Sequence, residues 1–147
     1  MNVLEIQNLT VTFDTADGPF KAVDGVNFSV NQNDILAIVG ESGSGKSVAM
    51  LAVMGLLPKT ATITADKMTF EGKDIQNLGE GERRELIGKD ISMIFQEPIA
   101  SLNPCFTVGF QIDEMLKAHT SLNGRERQAR SVELFELVGI PDPAKKL

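Results

Sequence analysis

Val26, Phe28 and Val30 alternate with Asn27 and Ser29, the two-residue period of a strand with one buried face. Leu4 to Phe13 has the same character. Two strands are therefore predicted, Leu4–Phe13 and Val23–Val30, with Asp14–Pro19 as the turn between them because it contains Asp-Gly-Pro. Ile35-Leu36-Ala37-Ile38-Val39 is short and apolar throughout, which suits a parallel strand buried on both faces. Ser47–Leu57 is predicted as a helix that Pro58 stops. Thr62–Ile75 reads as a strand pair turning at Glu71-Gly72, and Glu80–Ile87 as a short charged helix. Ile91–Phe95 reads as a second apolar strand.

After Pro98 the period changes. Thr107–His119 and Arg125–Val138 are predicted helices, and Ala129, Val132, Phe135 and Val138 form an apolar stripe on the second. Asn123 with Glu126 three residues on has the form of a helix-start capping box. A boundary near Gln96 then separates a sheet-rich part, residues 1–95, from a helical part, residues 96–147. Gly-Lys-Asp-Ile occurs at Gly72 and at Gly88, but the flanking residues differ and no repeat is read from it.

Composition narrows the class. Apolar residues make up 42% and charged residues 23% of 147, ordinary for a soluble domain with its own core. The formal net charge of −6 argues against a general nucleic-acid binder. It does not argue against binding one phosphate group, which local backbone N–H groups can do. A single cysteine, Cys105, allows no internal disulfide and no cysteine metal cage; it reads as packing or loop filler, and a reducing cytoplasm fits. Met1-Asn2-Val3-Leu4-Glu5 does not resemble a signal peptide, and Val48–Leu57 is far short of the ~20 apolar residues of a membrane span.

Candidate chemistry begins at Gly40-Glu41-Ser42-Gly43-Ser44-Gly45-Lys46-Ser47, which matches G-x-x-x-x-G-K-[ST]. An apolar run precedes it and a predicted helix follows. The glycines let the backbone curl until several N–H groups face one anion, and the helix adds its positive end. Lys46 is expected to reach the β- and γ-phosphates of a nucleotide, and the Ser47 hydroxyl to ligate Mg²⁺. Kinases, GTPases and recombinases share this loop, so it does not fix the class. The second segment, Asp90-Ile91-Ser92-Met93-Ile94-Phe95-Gln96-Glu97-Pro98, places a glutamine at the end of the second apolar run. Strand ends are where ligands sit in open α/β sheets. A neutral amide there can offer its oxygen to Mg²⁺ and orient a water.

With both segments in order, the chain resembles the ATP-binding-cassette family over essentially its whole length. The resemblance narrows at Gly40–Val48 and at Phe95-Gln96-Glu97-Pro98 followed by Ser101-Leu102-Asn103-Pro104, which look like the ATPase subunits of dipeptide, oligopeptide and nickel importers. Ser44 and Val48 look like the first of the two paired ATPase subunits of such systems. The resemblance implies an α/β phosphate-loop NTPase fold in incomplete form. Residues 1–95 would be a partial nucleotide-binding core with an N-terminal β-subdomain, and residues 96–147 the start of a helical subdomain. It implies that ATP and Mg²⁺ are bound and that Gln96 is the residue linking the nucleotide site to the transmembrane subunits. Lys46 and Gln96 are the expected catalytic contributors, Ser47 and Gln96 the metal contacts, and Gly40 to Val48 the cradle. Val48 departs from the Ser or Thr that adds a hydroxyl at the α-phosphate. Binding is expected to survive because backbone groups carry that cradle. The family stacks an aromatic ring on adenine; Phe13 is the candidate and Phe20 the alternative, each with ordinary sheet packing as its other reading.

The same resemblance implies a second homologous ATPase subunit and transmembrane permease subunits as partners, no nucleic acid, and a peripheral position on the cytoplasmic side of the inner membrane. The family's signature, its second metal carboxylate, its general base and its switch histidine do not occur in these residues, so the expectation is a truncated chain or gene fragment that is inactive alone. His119 reads as a solvated histidine, Asp113 and Glu114 as helix-face charges, and Glu82–Glu85 with Arg83 and Arg84 as a solvated charged patch. Rival readings are a nucleotide-binding module without turnover and a cassette ATPase with no membrane partner.

Overall fold

A computed structural model describes residues 2–95 and 102–145. Its first strands are β1, Asn2–Thr15, and β2, Gly18–Asn31, which form a long antiparallel hairpin turning at Ala16-Asp17. Both outrun the lengths expected from the sequence. Beyond β2 lie α1, Lys46–Met54, then β3, Ala61–Thr64, β4, Lys67–Phe70, and β5, Lys73–Asp74. The other edge of β1 takes β3 along Thr10–Phe13 and β4 along Leu4–Gln7, both antiparallel. The expected turn at Glu71-Gly72 does join two strands, β4 and β5, whereas β3 belongs to β1.

Of the four register shifts in the hairpin, the one between Ile6 and Leu9 sets the core face. Ile6 and Leu9 are both fully buried, although three residues apart they would point to opposite faces of a regular strand. A register shift between them, with Asn8 at φ 52°, turns Leu9 back to the core face. Asn8 is fixed by its N–H donating to Asn27 Oδ1 at 2.8 Å and its Nδ2 donating to Asp66 Oδ2 at 3.1 Å. Ile6, Leu9, Val11, Val23, Met68 and Ile75 then form one face, and α1 packs Ala49, Ala52 and Val53 onto it. The helix ends before Pro58, at Gly55. That residue takes φ 66° and donates its N–H to Ala52 O at 3.1 Å, while Leu56 N–H reaches Leu51 O at 2.9 Å.

Two expected strands are not formed. Residues 35–39 and 92–95 carry no strand, and Ile35, Val39 and Ile94 are at least nine-tenths exposed. A parallel strand needs neighbours on its edges, and every strand pairing among the described residues is antiparallel and made within β1–β5. The apolar pattern is there without its partners.

The chain divides into two units, Met1–Ile87 and Gly88–Leu147, ahead of the boundary expected at 95/96. The first ends with α2, Glu80–Leu86. Of the expected solvated patch, Glu82, Arg84 and Glu85 are exposed, while Glu82 and the half-buried Arg83 also have specific partners. Glu82 accepts the Gly79 N–H at 3.0 Å, and Arg83 Nη2 donates to Ile75 O at 3.1 Å. The second unit contains α3, Val108–His119, α4, Gly124–Leu137, and a 3₁₀ turn at Pro143–Lys145. The capping box is present: Asn123 Oδ1 accepts from Arg125 and Glu126 N–H, and Glu126 accepts the Asn123 N–H at 2.7 Å. The stripe is not. Ser131 and Phe135 are buried whereas Ala129 and Val138 are exposed. A three-residue step falls ~60° short of a full helical turn, so repeated steps rotate the stripe off any one face.

Asp113 and Arg127 join α3 to α4. Arg127 Nε donates to Asp113 Oδ1 at 2.7 Å, Nη2 to Oδ2 at 3.3 Å, and Nη1 to Leu122 O at 3.1 Å. Asp113 is thus not a free helix-face charge. The Arg127 guanidinium, chiefly through its hydrogen bond, holds the Asp113 carboxyl below its ordinary value of 3.8. A lowered native pKa contributes stability above the unfolded value and loses it as pH falls through the native one, so the pair is expected to weaken below about pH 3.8. In Arg127→Met the Asp113 midpoint, followed by carboxyl NMR, should rise toward 3.8. An unchanged midpoint would show that the pair does not form in solution.

Candidate functional site

The phosphate loop follows the exposed segment after β2 and ends where α1 begins. Gly45, the residue before the helix, has φ 87° and no side-chain cap. The first intrahelical bond runs from Ala49 N–H to Gly45 O at 2.9 Å, so the N–H groups of Lys46, Ser47 and Val48 have no acceptor within the helix. They form the positive end of α1, turned toward the loop. A Cβ at Gly45 would overlap the Ala22 carbonyl oxygen of β2 and stand 3.2 Å from Val23 Cγ2. This position excludes any side chain, both by its backbone angle and by the strand behind it.

Lys46 is half-buried and folds back over the loop. Its Nζ donates to Gly40 O at 2.7 Å, to Glu41 O at 2.6 Å and to Ser44 Oγ at 3.1 Å. A Cβ at Gly40 would lie 2.9 Å from Ser44 Oγ and 3.7 Å from Lys46 Nζ, so a larger residue would crowd that nest. Ser44 N–H reaches Glu41 O at 3.3 Å and closes the turn. Glu41, Ser42, Gly43 and Ser47 are exposed. Val48 is half-buried against the core cluster, which gives a physical use to the apolar residue at this position. A cavity of about 620 Å³ opens beside the loop, lined among others by Ala22, Val23, Val39, Gly40, Ser44 and Lys46.

The structure therefore brings Gly40, Ser44, Gly45 and Lys46 to one cavity. It does not bring Phe13 or Phe20 there. Phe13 is half-buried against the core and faces Phe20 across the hairpin, and Phe20 is exposed. Gln96 lies outside the described residues. The sequence reading missed the β2 wall, Ala22 and Val23. The available signal was the small Ala22 ahead of Val23 in β2. His119, expected to be solvated, is half-buried instead: a Cβ at Gly88 would come 3.0 Å from its Nε2. Among the described residues no cluster of three or more His, Cys, Asp or Glu could hold a metal, and no helix is long and apolar enough to cross a membrane.

A glycine-lined turn, an uncapped helix start and an inward lysine, all set against a β-sheet, define a phosphate-loop protein of the mixed α/β class. The chain belongs to the ABC transporter family, whose profile matches residues 23–147. It is 49% identical to the dipeptide transport ATP-binding protein DppD of Escherichia coli (strain K12) over 147 residues, all of this chain and 45% of that protein. It is 46% identical to the oligopeptide transport ATP-binding protein OppD of Bacillus subtilis (strain 168) over 146 residues, 99% of this chain and 41% of that protein. Among solved structures, the dimeric post-hydrolysis state of the ATP-binding cassette MJ0796, bound to ADP and Pi, matches with a TM-score of 0.74. That match covers 98% of this chain and 62% of that one at 21% identity, a likeness of fold. The chain thus spans less than half the length of the curated relatives it matches.

Gly45→Ala should disrupt this site more than Gly43→Ala. Both residues have positive φ, but a Cβ at Gly43 has nothing within 4 Å while one at Gly45 meets β2. Backbone strain alone costs roughly 1–3 kcal/mol, and Gly45→Ala adds the steric overlap. Urea unfolding of the two variants compares them, and equal losses would remove the β2 contact as a constraint.

Proposed function

We propose that the complete subunit to which these residues belong hydrolyses ATP to drive import of peptides or a related small solute, and that this chain supplies its phosphate-binding part. The observation that carries the proposal is the lysine-closed loop at the uncapped start of α1. The peptide-transport relatives support the importer reading, and the ADP-bound neighbour supports a nucleotide as ligand.

In this reading a nucleotide enters beside the loop and Lys46 leaves the Gly40 and Glu41 carbonyls for the β/γ-phosphate oxygens. The first-turn N–H groups of α1 and the loop amides bind the remaining oxygens. As negative charge develops on the transferred phosphoryl group, these fixed donors stabilise it without having to reorganise. The exposed Ser47 hydroxyl at the start of α1 and the Gln96 amide would hold Mg²⁺, which would neutralise phosphate charge. An acid from the remainder of the subunit activates water. Phe13 is retained as the adenine neighbour, which requires its ring to leave the core contact described above. ATP is held between this subunit and a homologous second one. Both dock on transmembrane permease subunits at the cytoplasmic face of the membrane, and Gln96 to Pro104 carries the nucleotide state to them.

Lys46→Ala in the complete subunit should weaken Mg-ATP binding roughly 10- to 150-fold, the scale of one charge-assisted hydrogen bond of ~1.5–3 kcal/mol. Calorimetry showing unchanged affinity would remove Lys46 from the site. Residues 1–147 alone should release no phosphate above background, since apposed catalytic groups act as a unit. Steady release by a pure sample, abolished by Lys46→Ala, would overturn that expectation.

A further inference from the structure

The far end of α1 is held by a side chain from another element. At Gly55, which closes the helix, the place of a Cβ is taken by Arg83 of α2: a Cβ there would overlap the guanidinium and stand 2.7 Å from Arg83 Cδ. The same guanidinium is anchored to the sheet unit, its Nη2 donating to Ile75 O at 3.1 Å. Ile75 is a fixed point, because it is buried and its own N–H donates to Met68 O of β4 at 2.9 Å. Arg83 also brings a charge. The last turn of α1 has no basic residue, so a cation from α2 stands at the negative end of a helix that supplies none of its own there. Packing leaves this contact something to do. Burial is non-directional, and the α1 residues in the core cluster, Ala49, Ala52 and Val53, are small and interlock little. They oppose lifting of the helix more than sliding along its axis.

We infer that Arg83 is a positioning residue for the phosphate site: by closing on Gly55 it fixes α1 along its axis, and so sets where the N–H groups of Lys46, Ser47 and Val48 meet a phosphate. This rests on the phosphate-binding reading proposed above. Arg83 acts through the helix and not on the ligand. The nine residues of α1 make a rod about 13 Å long, so a shift at Gly55 is carried to Lys46. Hydrogen bonds weaken steeply as distance and angle depart from their best values, so a small shift is felt by every first-turn donor. Arg83→Met keeps most of the stem and loses the charge and the bond to Ile75. Arg83→Lys keeps the charge and loses the planar group over Gly55. Gly55→Ala keeps every atom of Arg83 and pushes it away.

The test is a double-mutant cycle on the complete subunit, reading Mg-ATP affinity by calorimetry at a temperature where circular dichroism shows each variant folded. Arg83→Met should weaken binding roughly three- to tenfold, the scale of one net hydrogen bond. Gly55→Ala should weaken it by a similar factor. The double variant should bind no more weakly than the weaker single one, because both changes break the same contact. A merely structural role would lower the melting temperature and leave the affinity of the folded protein unchanged, and that result overturns the inference. Losses that multiply in the double variant overturn it too. A wild type that does not bind Mg-ATP overturns the proposed function itself, whereas a wild type that binds, with variants that bind equally well, defeats only the role of Arg83. Should Arg83→Met fail to fold, Arg83→Lys takes its place in the cycle, and wild-type affinity in it defeats the inference.

Discussion

The close approach of Gly45 to the Ala22 carbonyl oxygen fixes where the phosphate loop can sit. The strand behind it cannot retreat, because β2 is paired with β1 from the turn to its far end. The helix in front cannot retreat either, because Ala49, Ala52 and Val53 are packed into the cluster built on Ile6, Leu9 and Val11. A loop of exposed, mostly polar residues thus takes its position from apolar packing on one side and from a missing Cβ on the other. The site is made by burial, although little of the site is itself buried.

Much of this was legible in the residues. The phosphate loop could be proposed from the residues because its chemistry is local: glycines, a lysine and a helix start within one short stretch, needing nothing distant to suggest it. The β1–β2 hairpin was legible from the alternation through Val26, Phe28 and Val30, as was the Asn123–Glu126 capping box. What was not legible depends on partners. The run Ile35–Val39 has the composition of a buried strand, yet composition states a need for neighbours and does not supply them. The bulge at Asn8 shows the same limit on a smaller scale. Its φ depends on Asn27 and Asp66, residues brought close only by the hairpin and by β4. The α4 stripe failed differently, because a three-residue count was read as a helical face.

The two units hold together by different means. The sheet unit has a continuous apolar cluster. The helical unit keeps its helices in place with a bidentate ion pair, a buried Ser131 hydroxyl bonded to Arg127 O at 2.9 Å, and a glutamine amide spread over a loop. Directional bonds of this kind fix orientation more than they add stability, since each gives only ~0.5–1.5 kcal/mol net.

Lys46 bonded to Gly40 O, Glu41 O and Ser44 Oγ makes the loop its own ligand. Any incoming anion competes with oxygens already held at the right distance, so its apparent affinity is its intrinsic affinity reduced by the bonds it displaces. A small ion with a single charge replaces few of them and gains little. A polyphosphate presents many oxygens at once and can return every bond the lysine gives up. The internal bonds therefore set a threshold that a ligand with several charged oxygens can meet more readily than one with a single charge.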